Sequence, residues 1–207
     1  DKIIIDPCCG SGGFLYCSLQ HIIKNNRTTD IAKIIKNNIY GIDINKDIVK
    51  IARMKFLLEA NVKNNIFCYN SLGDIDTVKL QLAENMPFKN EGFDILLTNP
   101  PFGSSGKILD THILSSFNLG YKWEKTGNGF ARTNSLSNGQ PAEILFIERC
   151  LQLLKEGGRM AIVLPNGHFE NPSLEYLRYF IKQHAKILGV VNLPQETFIP
   201  YGTGVKT

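Results

Sequence analysis

Short apolar runs alternate along this chain with residues at helical spacing, and that alternation constrains the fold more than any other feature. Lys2-Ile3-Ile4-Ile5-Asp6 and Ile39-Tyr40-Gly41-Ile42-Asp43-Ile44 stay apolar at successive positions. A strand wetted on one face would alternate with polar residues, so these runs read as strands buried on both faces. Ile66 to Tyr69, Phe93 to Thr98, Arg159 to Pro165 and Ile187 to Leu193 read as four further strands. Helical spacing fills the gaps: Gly12 to Lys24, Asp30 to Asn37, and a helix capped by Asn45 with Ile48, Ile51, Ala52 and Leu58 on one face. A helix through Ile144, Ile147, Leu151 and Leu154 is expected to end at Gly157-Gly158, and Leu174 to Gln183 forms another behind Pro172. Strands buried on both faces need helices on both faces, so the expected fold is α/β, a doubly wound and mostly parallel sheet.

Such sheets bind ligands at the carboxyl ends of their strands, near the switch in strand order. Strand four is expected beside strand one. That rule collects the residues that follow each of the first four strands: Asp6 to Gly13, Asp43 with Ile44, Asn70 with Ser71, and Asn99 to Phe102.

The first turn is Asp6-Pro7-Cys8-Cys9-Gly10-Ser11-Gly12-Gly13. Its glycines allow a tight turn and close approach of a ligand to the backbone. The spacing is neither G-x-G-x-x-G nor a P-loop, which argues against a phosphate site. An amino-acid-bearing nucleoside suits it better, with backbone N–H groups toward its carboxylate and an acid toward its ammonium. A plain strand-to-helix turn is the other reading. Asp43 is placed to accept from both ribose hydroxyls, or to act as a helix N-terminal acid. Ile44 is placed to pack on an adenine face or in the core. Asn70 and Ser71 are placed at an adenine edge, or in an Asx-type turn.

Asn99-Pro100-Pro101-Phe102 follows strand four. An aromatic exocyclic amine is a weak nucleophile because its lone pair is delocalised into the ring. Two acceptors aimed at its two N–H bonds favour a tetrahedral nitrogen and direct the lone pair outward. The Asn99 side-chain oxygen and the Pro100 carbonyl are the candidates, and consecutive prolines hold the carbonyls rigidly. Phe102 is placed to stack on the target ring, a contact of about 1–3 kcal/mol per base. The alternative is a turn that merely ends a strand.

These motifs together resemble the amino-methyltransferases of restriction–modification systems, and most closely the modification subunit of type I systems. The motif order is that of the gamma class of N6-adenine enzymes. The resemblance continues into Gly139-Gln140-Pro141-Ala142-Glu143, Leu154-Lys155-Glu156-Gly157-Gly158-Arg159, Val163-Leu164-Pro165-Asn166-Gly167, Leu193-Pro194 with Phe198, and Gly204-Val205 with Thr207. It implies a seven-stranded-type, Rossmann-like methyltransferase fold with a truncated last strand. It implies S-adenosyl-L-methionine as cofactor and the N6 amine of an adenine flipped out of DNA as acceptor. Asp6, Pro7, Gly10, Ser11, Gly12, Gly13, Asp43, Ile44, Asn70 and Ser71 would bind the cofactor. Asn99, Pro100, Pro101 and Phe102 would hold the base. In the family an acid commonly stands where this chain has Asn70. Implied partners are double-stranded DNA, a specificity subunit and a restriction subunit. Methylation of an RNA base amine or a protein glutamine amide is the rival enzymatic reading, and a non-catalytic cofactor-binding module the rival of another class.

The chain has 207 residues, the size of one domain, and a net charge of +4, too mild to announce nucleic acid by itself. One catalytic domain over 1–207 is expected, with a long loop at 103–140 carrying Lys107, Lys122, Lys125 and Arg132. In that loop Tyr121 and Trp123 are placed either to stack on DNA or to pin the loop. Glu143, at a helix start, reads as a dipole-compatible acid. Both ends read as cut, with a helical lead-in and a closing strand expected outside the chain. Cysteines at 8, 9, 17, 68 and 150 form no C-x-x-C pair, and the four histidines are scattered. No metal site is expected, and a reducing cytoplasm is the expected setting. No apolar run reaches the roughly 18 residues of a membrane span.

Overall fold

A computed structural model describes residues 2–25, 30–83, 92–103, 106–194 and 197. Its elements are β1 (Ile4–Asp6), α1 (Gly13–Asn25), α2 (Ile31–Asn38), β2 (Ile39–Asp43), α3 (Lys46–Ala60), β3 (Asn65–Cys68), α4 (Ile75–Ala83) and β4 (Phe93–Thr98). There follow β5 (Lys107–Ile108), α5 (Thr111–Ser115), β6 (Tyr121–Thr126), β7 (Gly129–Leu136), β8 (Gln140–Pro141), α6 (Ala142–Leu153), β9 (Leu154–Ile162), α7 (Gly167–Glu170) and α8 (Glu175–His184). The chain divides into two compact units, Asp1–Asn99 with Arg149–Ile162, and Pro100–Glu148 with Val163–Thr207.

In the first unit five parallel strands form one sheet in the order β3-β2-β1-β4-β9. The apolar runs segregate as strands must. Ile3, Ile5, Tyr40 and Ile42 join Val78, Leu82, Cys150 and Leu153 in one core cluster. Ile4 and Ile39 join Leu15, Leu19, Ile35, Val49, Ala52 and Phe56 in another. Gly41 lies where a Cβ would come within 2.7 Å of Leu15 and 2.9 Å of Ile66, so only glycine lets α1 and β3 pack so closely on β2.

Asn45 caps α3 as expected, accepting from the N–H groups of Asp47 and Ile48 at 3.0 and 3.2 Å. The buried face of α3 is nevertheless Val49, Ala52 and Phe56, while Ile51 is 57% and Leu58 80% exposed. A helix of mixed composition offers two apolar stripes, and contact with the sheet selects one. The helix before β9 also ends earlier than expected, at Leu153. Gly157 and Gly158 lie within β9, at the register shift opposite Phe93 and Ile95, where an irregular strand needs Gly157 at φ +72°. The sequence pattern does not announce α4; Asp74 opens it by accepting from Thr77 N at 2.9 Å.

Asp94, at the start of β4, accepts from Ile3 N at 2.8 Å and pairs with Lys155 and Lys2. Burial would raise its carboxyl, but these partners overcome that and hold it at about 2. A depressed folded-state value contributes stability above the ordinary carboxylate value of 3.8, and that contribution is lost as pH falls toward 2. Asp94→Ala strands the Ile3 N–H and is expected to cost about 1–3 kcal/mol in urea unfolding at pH 7. The deficit should shrink as the titration approaches a pH of about 2.

In the second unit, the segment expected as a long loop carries secondary structure. β6 and β7 pair antiparallel around Gly127-Asn128, and β5 pairs with β8. Trp123 stacks on Tyr176 of α8 at 6.2 Å and meets Phe180 edge-on at 5.9 Å. Arg132 lies 4.4 Å from the Tyr121 ring and Lys125 pairs with Glu175 at 3.5 Å, so both cations turn toward protein partners. Trp123 and Tyr121 therefore pin the hairpin. Glu148, 3% exposed, accepts from Asn118 N, Asn118 Nδ2 and Leu119 N at 2.8–2.9 Å.

The strand expected at Ile187 to Leu193 is not formed: residues 185–194 lack regular structure, and Leu188 and Val191 are 74% and 79% exposed. An apolar run becomes a strand only where a neighbouring edge accepts it. The expected truncated last strand, with Gly204, Val205 and Thr207, lies outside the described residues, as does Phe198.

Candidate functional site

The turn after β1 is built around Asp6, which is 2% exposed. Its Oδ1 accepts from Thr98 Oγ1 at 2.7 Å and from Cys8 N at 3.0 Å. Burial pushes its carboxyl up to about 7, against the lowering effect of those bonds, and the nearby charge of Asp43 adds to the rise. Gly10 and Gly12 adopt φ +51° and +79°. A Cβ on Gly12 would sit 3.3 Å from the Phe56 ring, whereas at Gly10 and Gly13 it would meet nothing within 4 Å. Gly12 thus lets α1 approach α3, and Gly13 leaves backbone open to a ligand. Pro7 is buried, and Ser11 is exposed with its carbonyl accepting from Lys55 Nζ at 2.9 Å. Burial, with Asp6 and Asp43 alongside, pushes the Cys8 and Cys9 thiols up, which removes them as nucleophiles.

Asp43 closes β2 onto this turn. One carboxylate oxygen accepts from Gly10 N at 2.9 Å and the other from Asn45 N at 2.9 Å. A carboxylate offers about four lone-pair sites, so each oxygen retains capacity for a hydroxyl donor. Ile44 is 69% exposed and is not a core residue. After β3, Asn70 Oδ1 accepts from Leu72 N at 3.0 Å, the Asx-type turn. Ser71, 3% exposed, donates from Oγ to the Pro7 carbonyl and so ties this turn to the glycine turn.

β4 pairs directly with β1, with Ile4 opposite Ile95 and Ile5 opposite Leu96. That pairing brings Thr98 to Asp6 and carries the chain into Asn99. Asn99 Oδ1 is buried and has no hydrogen-bond partner among the described residues. An unpaired buried acceptor costs about 1–3 kcal/mol, so its presence points to a ligand donor. Pro100, Pro101 and Phe102 begin the second unit: Pro100 is buried, Pro101 exposed and Phe102 8% exposed.

Three features escaped the sequence. Thr98, 0% exposed, holds Asp6; a lone hydroxyl at the end of an apolar strand was the available signal. Arg149, 0% exposed, donates from Nη2 to the Gly73 carbonyl at 2.6 Å, and nothing local marks it. In the second unit Glu143, 3% exposed, lies 3.9 Å from His168 Nε2. Burial lowers the His168 pKa, against the Glu143 charge and the bond from Nδ1 to the Pro165 carbonyl. Glu143 stands in the first turn of α6, as expected of a helix-start acid, and is buried as well.

A family model described as N-6 DNA Methylase matches residues 1–207. The chain is 27% identical over 99% of its length to the EcoEI methylase subunit of a type I restriction enzyme from Escherichia coli, of which it covers 36%. It is 23% identical over 98% of its length to a type II restriction enzyme and methyltransferase, RM.BcgI, from Heyndrickxia coagulans, of which it covers 26%. Among solved structures, a chain of a type I restriction–modification system superposes with a TM-score of 0.72 at 23% identity, over 99% of this chain and 36% of that one. The EcoKI M protein superposes at 0.66 and 20% identity, over 99% of this chain and 38% of that one. These likenesses establish the fold. The chain spans about a third or less of the curated relatives it matches.

Proposed function

This chain belongs to the N-6 DNA methylase family, and from that premise we propose that it is the catalytic core that methylates the N6 amine of adenine in DNA. S-adenosylmethionine-dependent methylation is the general activity of the family. The observation that carries the assignment to these residues is the buried Oδ1 of Asn99 at the end of β4, without a hydrogen-bond partner among the described residues, on the strand that pairs with β1. A buried acceptor whose lone pairs the described residues leave unused is preorganised for an N–H donor.

The residues of the first unit suit the cofactor. S-adenosylmethionine supplies an electrophilic methyl carbon on a sulfonium. Asp6 would face its ammonium, and the open backbone at Ser11 and Gly13 its carboxylate, with Pro7, Gly10 and Gly12 setting the turn. Asp43 would accept from the ribose hydroxyls. Exposed Ile44 offers an apolar face to the cofactor adenine. Asn70 would edge that adenine, with its amide nitrogen as the group its turn does not use, and Ser71, whose hydroxyl is spent on the Pro7 carbonyl, would hold the turn beside it. For the acceptor base, Asn99 Oδ1 and the Pro100 carbonyl would take the two amine hydrogens and turn the nitrogen lone pair outward. Pro101 would stiffen the turn and Phe102 would stack on the ring. Residues 1–207 would form one catalytic domain, with the acceptor pair Asn99 and Pro100 consecutive in the chain.

For the whole protein we propose double-stranded DNA as substrate, a specificity subunit and a restriction subunit as partners, and a cytoplasmic setting. No described helix is long and apolar enough to cross a membrane. The test is to offer the full-length protein, with its partner subunits, methyl-labelled S-adenosylmethionine and a panel of DNA, RNA and protein acceptors. Label is expected on adenine N6 in DNA. Transfer to RNA or protein alone would overturn the reading.

A further inference from the structure

We propose that Arg149, in the last part of α6, is a positioning residue for cofactor binding: it anchors the turn after β3 that braces the glycine turn. The inference rests on the proposed use of the glycine turn for S-adenosylmethionine.

The argument starts from cost. Arg149 is 0% exposed, in a helix whose neighbouring core residues, Cys150 and Leu153, are apolar. Burying a guanidinium is expensive, and apolar residues of similar size in such places are often neutral or stabilising. Burial therefore disfavours a cation here unless polar partners hold it, and geometry supplies one. A guanidinium carries a rigid fork of donors on a long stem and can reach from a core helix to a main-chain carbonyl.

That carbonyl belongs to Gly73, 2.6 Å from Nη2. From Gly73 a chain of hydrogen bonds runs back to the glycine turn, all within the first unit. Gly73 N donates to the Asn70 carbonyl at 2.9 Å. Leu72 N donates to Asn70 Oδ1 at 3.0 Å. Ser71 Oγ donates to the Pro7 carbonyl, and Cys8 N donates to Asp6 at 3.0 Å. Arg149 thus holds one end of a tight turn whose middle holds Pro7. If the turn shifts, Pro7 shifts, and the glycine backbone moves with it.

The test is calorimetric binding of S-adenosylmethionine by the full-length protein and by Arg149→Met, Arg149→Lys, Ser71→Ala and the Arg149→Met/Ser71→Ala double variant. Each of Arg149→Met and Ser71→Ala is expected to weaken binding by roughly two- to thirty-fold. The double variant should bind no more weakly than the weaker single, because both cut one chain of bonds. Arg149→Lys should recover part of the loss, and in the Arg149 variants kcat at saturating cofactor should stay at the wild-type value. Wild-type affinity in Arg149→Met overturns the proposal, as do losses that simply multiply. Should Arg149→Met not fold, Arg149→Lys decides, and unchanged affinity there also overturns it. If the wild-type protein binds no cofactor, the proposed function falls with this inference; if it binds and the variants match it, only this inference falls.

Discussion

Replacing Asn99 by alanine is expected to lower methyl transfer about 100- to 1000-fold, the loss typical when one preorganised hydrogen-bonding group is removed from a reacting centre. Cofactor affinity should not change, because the side-chain oxygen is assigned to the base amine. The fold should not suffer either. Asn99 Oδ1 is already buried without a partner among the described residues, so alanine relieves an unmade hydrogen bond. Asn99→Asp keeps an acceptor at the same place and should retain part of the activity. Single-turnover rates on hemimethylated DNA, beside calorimetry with S-adenosylmethionine, separate the two quantities. Undiminished turnover in Asn99→Ala would show that the amine is activated elsewhere.

Replacing Asp6 by asparagine is expected to separate stability from binding. The folded-state value of Asp6, about 7, lies above its ordinary 3.8 because burial disfavours the charge. The folded chain therefore holds this proton more tightly than the unfolded chain does. That contribution to stability is fully present below 3.8, declines as pH rises, and is gone above about 7. The amide that Asp6→Asn introduces never ionises, and its oxygen can still accept from Thr98 Oγ1 and Cys8 N. Asp6→Asn should thus melt higher than wild type above a pH of about 7, with the difference vanishing near 3.8. Cofactor affinity should fall in the same variant, because a charge-assisted bond worth about 1.5–3 kcal/mol is lost. In wild type, an arriving ammonium should draw the proton off Asp6, so affinity should rise with pH up to about 7 and then level off. Calorimetry in buffers of different ionisation enthalpy counts that proton. Equal affinity in Asp6→Asn, or no proton release on binding below a pH of about 7, would remove Asp6 from the ammonium.

Most of the sheet is legible in the sequence because its signal is local. The run from Phe93 to Thr98 reads as a strand and is β4 to the residue, and the first two strands agree within two residues at each end. The Asn45 cap is legible for the same reason. The hairpin at Tyr121 to Leu136 escapes a reading by pattern although Gly127-Asn128 is a two-residue turn of the hairpin kind, because the flanking residues are mostly polar. The stripe on α3 and the run at 187–193 mislead in the opposite way. Apolar content shows that a face is able to be buried, and a packing partner decides whether it is.

For the site, sequence alone determined which residues stand at the ends of β1, β2, β3 and β4, since strand ends and turn chemistry are encoded within a few residues. It also carried the motifs by which the family is known. Tertiary structure decided the rest. Pairing of β1 with β4 brings Thr98, 92 positions away, to Asp6. Burial then raises the Asp6 carboxyl, leaves Asn99 Oδ1 dry, and sets Arg149 against Gly73, 76 positions away. Desolvation and long-range hydrogen bonds depend on what surrounds a residue, and no window of sequence contains those surroundings.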